Sequence, residues 1–183
     1  MEGSRFIKSL QLENFLSYGS KSEEIELKPL NVLIGANASG KSNLIEAIAL
    51  LKATPTDLPA PIRQGGGIND FLWKGDKKTP VARIKATINY PQANQDLNYQ
   101  LSLTVAGQKL ELVDEAVENQ IPYDEEEDVY FYYRYLRGHP VLNVKREDEE
   151  QRIKRFLRRE DLMVDQSVLS QRKDPDLYPE LSF

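Results

Sequence analysis

The segment Gly35-Ala36-Asn37-Ala38-Ser39-Gly40-Lys41-Ser42 brackets four residues with glycines and follows them with an amine and a hydroxyl. This is the phosphate-binding pattern G-x-x-x-x-G-K-[ST], and each position has a chemical reason. Glycines at both ends let the backbone wrap closely enough for successive N–H groups, at the start of a helix, to point at phosphate oxygens. Lys41 would bring a point charge to the β- and γ-phosphates of a nucleoside triphosphate. The Ser42 hydroxyl would ligate a Mg²⁺ that bridges them.

Such a loop works between a strand that delivers the chain and a helix that carries the donors. Leu30-Asn31-Val32-Leu33-Ile34 predicts a short buried strand running straight into Gly35. Ser42 to Lys52 predicts a helix with Leu44, Ile45, Ile48 and Leu51 at helical spacing and Ala47 and Ala49 on the other side, buried on most faces. Upstream, Leu10 and Leu12 alternate with Gln11 and Glu13, a strand that leaves the sheet at Asn14-Phe15-Leu16-Ser17-Tyr18. Ile25 and Leu27 alternate with charged residues in a second, half-exposed strand, and Pro29 turns the chain toward the loop.

Taken together, Ile7, Leu10 to Phe15, Ile25 to Leu27 and the run from Asn31 to Ile48 resemble the amino-terminal half of SMC/RecF-type ATPases, which are ATP-binding-cassette heads. In that superfamily the loop usually reads G-x-N-x-[SA]-G-K-[ST]-N, and Asn37 and Asn43 stand at its asparagines. The resemblance implies an α/β fold of the P-loop NTPase type: a mixed sheet around the P-loop helix, with an antiparallel β meander, forming an incomplete half-domain. It implies ATP and Mg²⁺ as cofactors, held by Gly35, Asn37, Ala38, Ser39, Gly40, Lys41, Ser42 and Asn43. Asn37 would touch the γ-phosphate, and Ser17 would lie near the base or ribose. Read without the family, Asn37 is also a turn residue that tolerates a left-handed backbone, and Ser17 a solvated hydroxyl.

Beyond the helix, three prolines between Thr54 and Pro61 predict an extended connector, and Gly65-Gly66-Gly67 a flexible loop. Arg63 stands where related heads carry an arginine that approaches the phosphates or the partner head; a solvated arginine is the alternative. Ala82, Ile84, Ala86, Ile88 and Tyr90 share one face of a strand, and Tyr99, Leu101, Leu103 and Val105 one face of the next. With Leu110-Glu111-Leu112 these make an antiparallel meander over residues 81 to 113. The acids from Asp124 to Asp128 read as a solvated loop rather than a metal site, and the aromatic run from Val129 to Leu136 as a strand packed on both faces. His139 is the only histidine and supports neither a triad nor a zinc site.

Glu147 to Arg159 predicts a helix, with Asp148 and Arg152, and Glu150 and Lys154, paired four apart and Ile153, Phe156 and Leu157 as its apolar stripe. Its basic face is either solvated or turned toward DNA or a partner. Ser167-Val168-Leu169-Ser170-Gln171 resembles the short strand entering the Q-loop of SMC-type heads. The resemblance makes Gln171 a Mg²⁺ ligand with Ser42 and a catalytic residue with Lys41. The regions are then strands, P-loop and helix at 1–53, a Gly/Pro loop region at 54–80, antiparallel strands at 81–146, and a helix with the Q-loop exit at 147–183.

With 183 residues, no cysteine, a net charge of -5 and no long apolar run, the composition fits a cytoplasmic protein without a membrane span and without a strongly basic nucleic-acid surface. A Ser-Gly-Gly-type signature loop and an apolar strand ending in Asp-Glu do not occur. The expectation is therefore the amino-terminal lobe of an ATPase that needs a C-terminal half and hydrolyses ATP as a head-to-head homodimer. DNA is a possible partner. The alternatives are a non-catalytic nucleotide- or DNA-binding scaffold and a small P-loop kinase or GTPase.

Overall fold

The computed structural model describes residues 5–75, 80–123, 126–136, 138–146 and 149–182. Eight strands form one sheet in the order β2-β1-β3-β4-β5-β6-β7-β8. Their bounds are β1 Ile7–Glu13, β2 Ile25–Glu26, β3 Ala82–Ile88, β4 Leu97–Ala106, β5 Lys109–Asn119, β6 Phe131–Leu136, β7 His139–Arg146 and β8 Glu149–Phe156. Every pairing between these strands is antiparallel. The helices are α1 Lys41–Ala53, α2 Pro59–Gln64, α3 Ile68–Phe71 and α4 Val168–Gln171.

Alternation decides which face of the sheet is wet. Leu10 and Leu12 on β1, Ala82, Ile84 and Ala86 on β3, and Leu97, Tyr99, Leu101 and Leu103 on β4 are all buried, in the pattern expected for the meander. Leu44, Ala47 and Leu50 of α1, Ile62 of α2 and Phe71 of α3 join the same core. Phe131, Tyr132 and Tyr133 are successive and all buried, so β6 is covered on both faces, as its aromatic density predicts.

A bulge in β5 breaks the alternation at one point. Leu103 pairs with Leu112 while Ser102 pairs with Asp114, leaving Val113 as the extra residue. Paired residues share a face, so the inserted residue turns Glu115, opposite Leu101, into the core. There it is fully buried. Its carboxylate accepts from the Tyr99 hydroxyl at 2.6 Å, from the Val168 N–H at 2.8 Å and from the Ser167 hydroxyl.

Four local expectations are corrected. Leu30 to Ile34 is not a buried strand: it joins no ladder, and Leu30, Val32 and Ile34 are 82%, 74% and 90% exposed. An apolar run lacks the backbone partners of a sheet interior unless neighbouring strands exist to supply them. The helix α1 is not buried on most faces either, because Ile45 and Ile48 are exposed while Leu44, Ala47 and Leu50 are buried and Leu51 is half-buried against the core. Pro59 and Pro61 do not extend the chain but open α2, whose first turn needs no N–H from them. Finally, 149–156 is strand β8 rather than a helix, in register with β7 through Val144 and Ile153 and through Val141 and Phe156. Pairs four apart on a helix are worth only about 0.2–0.5 kcal/mol each, less than a completed ladder returns. Glu147 and Asp148 lie outside the described residues, as do Asp124 and Glu125 of the acidic run.

Two measurements check this arrangement. In urea denaturation, Leu12→Ala is expected to cost about 2–5 kcal/mol as a fully buried leucine. Ile34→Ala should stay within about 0.5 kcal/mol, as an exposed substitution does, and a cost near that of Leu12→Ala would show that the run is packed after all. The second concerns Glu115, whose carboxyl is held above the usual range by desolvation, against the opposing hydrogen bonds from Ser167, Tyr99 and Val168. The unfolded chain therefore releases this proton first, near the usual glutamate value of about 4.3. Stability should fall as pH rises from there to the raised folded value, and level off above it. The wild-type minus Glu115→Gln stability difference isolates that fall, and a difference that rises over the same window would contradict the assignment.

Candidate functional site

Gly35 to Asn43 runs from the exposed apolar segment into the first turn of α1. Ala38 and Gly40 both have positive φ, 64° and 87°, on either side of Ser39, so the loop coils back on itself before the helix starts. At Gly40, the N-cap of α1, the left-handed backbone and a Ser17 Oγ only 3.1 Å from where a Cβ would stand both demand glycine. At Gly35 a Cβ would meet the Ser39 hydroxyl oxygen at 2.9 Å, so close approach sets the residue there.

No side chain caps α1, and no acid occupies its first turn. The first N–H groups of the helix are thus left for an external acceptor, with the positive end of the helix dipole behind them. The Lys41 ammonium lies across the loop, donating to the Gly35 carbonyl at 2.8 Å, the Ala36 carbonyl at 2.6 Å and the Ser39 hydroxyl at 3.1 Å. Ser42 is exposed on the same turn, and Asn37 and Ala38 are exposed in the loop. Helix donors, an ammonium and a hydroxyl make a donor set that fits a polyphosphate with its Mg²⁺.

The loop after β1 holds this segment from the side. Asn43 Nδ2 donates to Ser17 Oγ at 2.6 Å, and the Tyr18 hydroxyl donates to the Gly40 carbonyl at 3.3 Å. Asn14 and Leu16 take positive φ values of 51° and 50°, which folds Ser17 and Tyr18 toward α1. Burial raises the Tyr18 hydroxyl pKa, so it stays a donor. The Tyr18 contact had no sequence pattern of its own. Its only signal was proximity to Ser17.

Gln171 is placed differently from the strand entry expected of it. It ends α4, a short helix, and its side chain is turned to its own loop. Its Oε1 accepts from the Met163 N–H at 2.8 Å, and its Nε2 donates to the Gln166 carbonyl at 3.0 Å and the Met163 carbonyl at 3.3 Å. The loop 35–43 is brought together as a group, then, while Gln171 holds its own segment. Arg63 is on α2 and pairs with Asp57 at 2.9 Å. His139 opens β7 and is exposed. No group of three or more metal-binding side chains occurs among the described residues.

A family model described as the AAA ATPase domain matches residues 6–174. Among curated relatives, the chromosome partition protein Smc of Pyrococcus furiosus is 35% identical over 86 residues, 46% of this chain and 7% of that protein. The DNA replication and repair protein RecF of Moorella thermoacetica is 32% identical over 111 residues, 59% of this chain and 28% of that protein. The DNA double-strand break repair Rad50 ATPase of Sulfolobus acidocaldarius is 36% identical over 85 residues, 45% of this chain and 9% of that protein. The chain spans less than a third of the length of each. A solved structure described under ATP-driven dimerization and DNA-stimulated activation of SMC ATPases aligns at a TM-score of 0.47 and 24% identity, over 63% of this chain and 70% of that one.

Gly40→Ala is expected to lower stability by about 1–2 kcal/mol through the left-handed backbone. Most of that cost should persist when Ser17→Ala clears the contact. Full recovery in the double variant, read by urea denaturation, would assign the cost to crowding and not to the backbone.

Proposed function

Because the chain belongs to the AAA ATPase domain family, we propose that it is the nucleotide-binding lobe of an ATPase of the SMC, RecF and Rad50 kind, with Mg-ATP held by the loop 35–43. The observation that carries this reading is the Lys41 ammonium, gathered over the Gly35 and Ala36 carbonyls at the uncapped start of a thirteen-residue helix.

On binding, phosphate oxygens take over the donors. The N–H groups of Gly40 to Asn43 and the Lys41 ammonium face the β- and γ-phosphates, and the Asn37 amide reaches the γ-phosphate from the loop. Lys41 exchanges two neutral carbonyls for anionic oxygens, a stronger acceptor set. As charge moves onto the leaving oxygens in the transition state, its interaction grows, which is the basis of its catalytic role. Ser42 and Gln171 would hold Mg²⁺, which supplies charge neutralisation at the β- and γ-phosphates when bound. For Gln171 this requires α4 as a whole to move, because Gln171 lines a cavity with Thr56, beyond the opposite end of α1 from Ser42. Asn43 stays on Ser17, keeping the first turn of α1 against the β1 loop.

The general base and the covering signature loop come, on this reading, from a further segment, and the protein works as a head-to-head homodimer; DNA is a candidate ligand of the assembly. The exposure of Leu30, Val32, Ile34 and Ile45 supports such a segment, since apolar side chains clustered in sequence gain by being covered. No helix among the described residues is long and apolar enough to cross a membrane. A cytoplasmic setting is the reading that suits a chain without cysteine. The engagement of Gln171 with its own loop favours the second reading, a scaffold that binds nucleotide without turning it over.

Calorimetric titration with Mg-ATP tests the site. Saturable binding is expected, weakened about tenfold or more in Lys41→Ala, since a hydrogen bond to a charged group is worth about 1.5–3 kcal/mol. GTP serves as the control for a guanine-specific enzyme. Equal affinity of the two chains would sink the assignment. Turnover that stays at background once the further segment is supplied would favour the scaffold.

A further inference from the structure

The β1 loop closes on a turn of two residues. Phe15 and Tyr18 exchange both backbone bonds, the Phe15 N–H donating to the Tyr18 carbonyl at 3.0 Å and the Tyr18 N–H to the Phe15 carbonyl at 2.8 Å, with Leu16 and Ser17 between them. Leu16 sits at a φ of 50°, a backbone that leucine rarely takes. Such a conformation persists only where its surroundings over-determine it.

The surroundings here are a second segment of chain. Phe15 is fully buried, and its ring centre lies 6.0 Å from that of Phe71. The Leu16 N–H donates to the Phe71 carbonyl at 2.7 Å and the Trp73 N–H to the Asn14 carbonyl at 2.9 Å, so residues 71–73 run beside the turn as a short strand would. The Trp73 indole presses on Gly19, where a Cβ would stand 3.2 Å from it. The turn is thus fixed from behind, and Ser17 and Tyr18 are presented to the start of α1.

What they meet there is the first turn of the helix. The Gly40 carbonyl accepts the first bond of α1, from the Leu44 N–H at 3.1 Å, and the same carbonyl takes the Tyr18 hydroxyl at 3.3 Å. Ser17 holds the side-chain amide of Asn43, the residue before Leu44, at 2.6 Å. A helix end frays unless something holds it, and no side chain within the helix caps this one.

We propose that Tyr18, together with Ser17, is a positioning residue for the polyphosphate: it steadies the turn whose N–H groups receive the phosphates, and it acts on the phosphate chain rather than on the base. This rests on the nucleotide reading of the loop 35–43. The Tyr18 hydroxyl hydrogen is already given to the Gly40 carbonyl, so its role needs no contact with the ligand. A turn that is ordered beforehand loses less freedom when phosphate arrives, which is how preorganisation raises affinity.

The full chain carrying Tyr18→Phe or Ser17→Ala tests this, since each variant removes one hydrogen bond with little change in shape. Hydrogen exchange of the amides of residues 44–46 is expected to quicken about fivefold in either variant, the worth of one neutral hydrogen bond, with β3 and β4 unchanged. Affinities for Mg-ATP and for magnesium tripolyphosphate are then measured by calorimetry, and both are expected to fall by about the same fivefold. A loss confined to ATP, with tripolyphosphate binding intact, would set Tyr18 against the base or ribose and overturn the proposal. So would unchanged affinities, which is what a merely structural contact gives, or unchanged exchange at 44–46. If the unsubstituted chain bound neither ligand while exchange at 44–46 still quickened, the nucleotide reading of the loop would fall, and the hold of the β1 loop on α1 would stand without it.

Discussion

Packing of the Leu44, Ala47 and Leu50 stripe of α1 against the inner face of the meander determines where that helix begins, and so where its unsatisfied N–H groups point. A helix start is an anion site only if it is held still and left uncapped. The core does the first, since Leu44, Ala47 and Leu50 belong to the same buried cluster as the inward residues of the meander. The second follows from Gly40, which has no side chain to offer and adopts a φ that turns the preceding loop over the helix end.

Legibility tracked how local each feature's cause is. The glycine-bracketed loop, the helix after it and the alternating strands of the meander are legible because their determinants sit within a few residues: glycines at both ends of a loop, Ile84 and Ala86 two apart, Leu44 and Ala47 three apart. The role of Leu30 to Ile34 was not, because an apolar run says that a side chain suits an interior and not whether neighbours are present to make one. The stretch at β8 failed for a related reason. Its charge pairs favour a helix in isolation, and only the hairpin with β7, a long-range fact, overrides them. Pro59 and Pro61 predict an extended connector, yet their missing N–H makes proline acceptable in the first turn of a helix.

Glu115 shows a signal that was present and easily passed over. In β5 the apolar residues fall at Leu110, Leu112, Val113, Ala116 and Val117, so the strict alternation of the strand's first half breaks at Val113. A parity change inside a strand is what a bulge looks like in sequence. Reading it assigns Glu115 to the core side and Asp114 to the outside, where Asp114 meets Gln100 at 2.7 Å.

The surroundings of the two ends of α1 are built by different means. The phosphate end is made by contacts within the loop, Lys41 to Gly35, Ala36 and Ser39, with two clamps from the β1 loop, Ser17 to Asn43 and Tyr18 to Gly40. Short loops close cheaply, so the coil of residues 35–40 is set within the loop, while the helix it leads into is held by the core. The Gln171 end is four residues of helix tied by Glu115 to strands more than fifty positions earlier in the chain. The loop 35–43 and the Gln171 segment are thus held separately in this fold, the first largely by sequence neighbours and the second by the packed core.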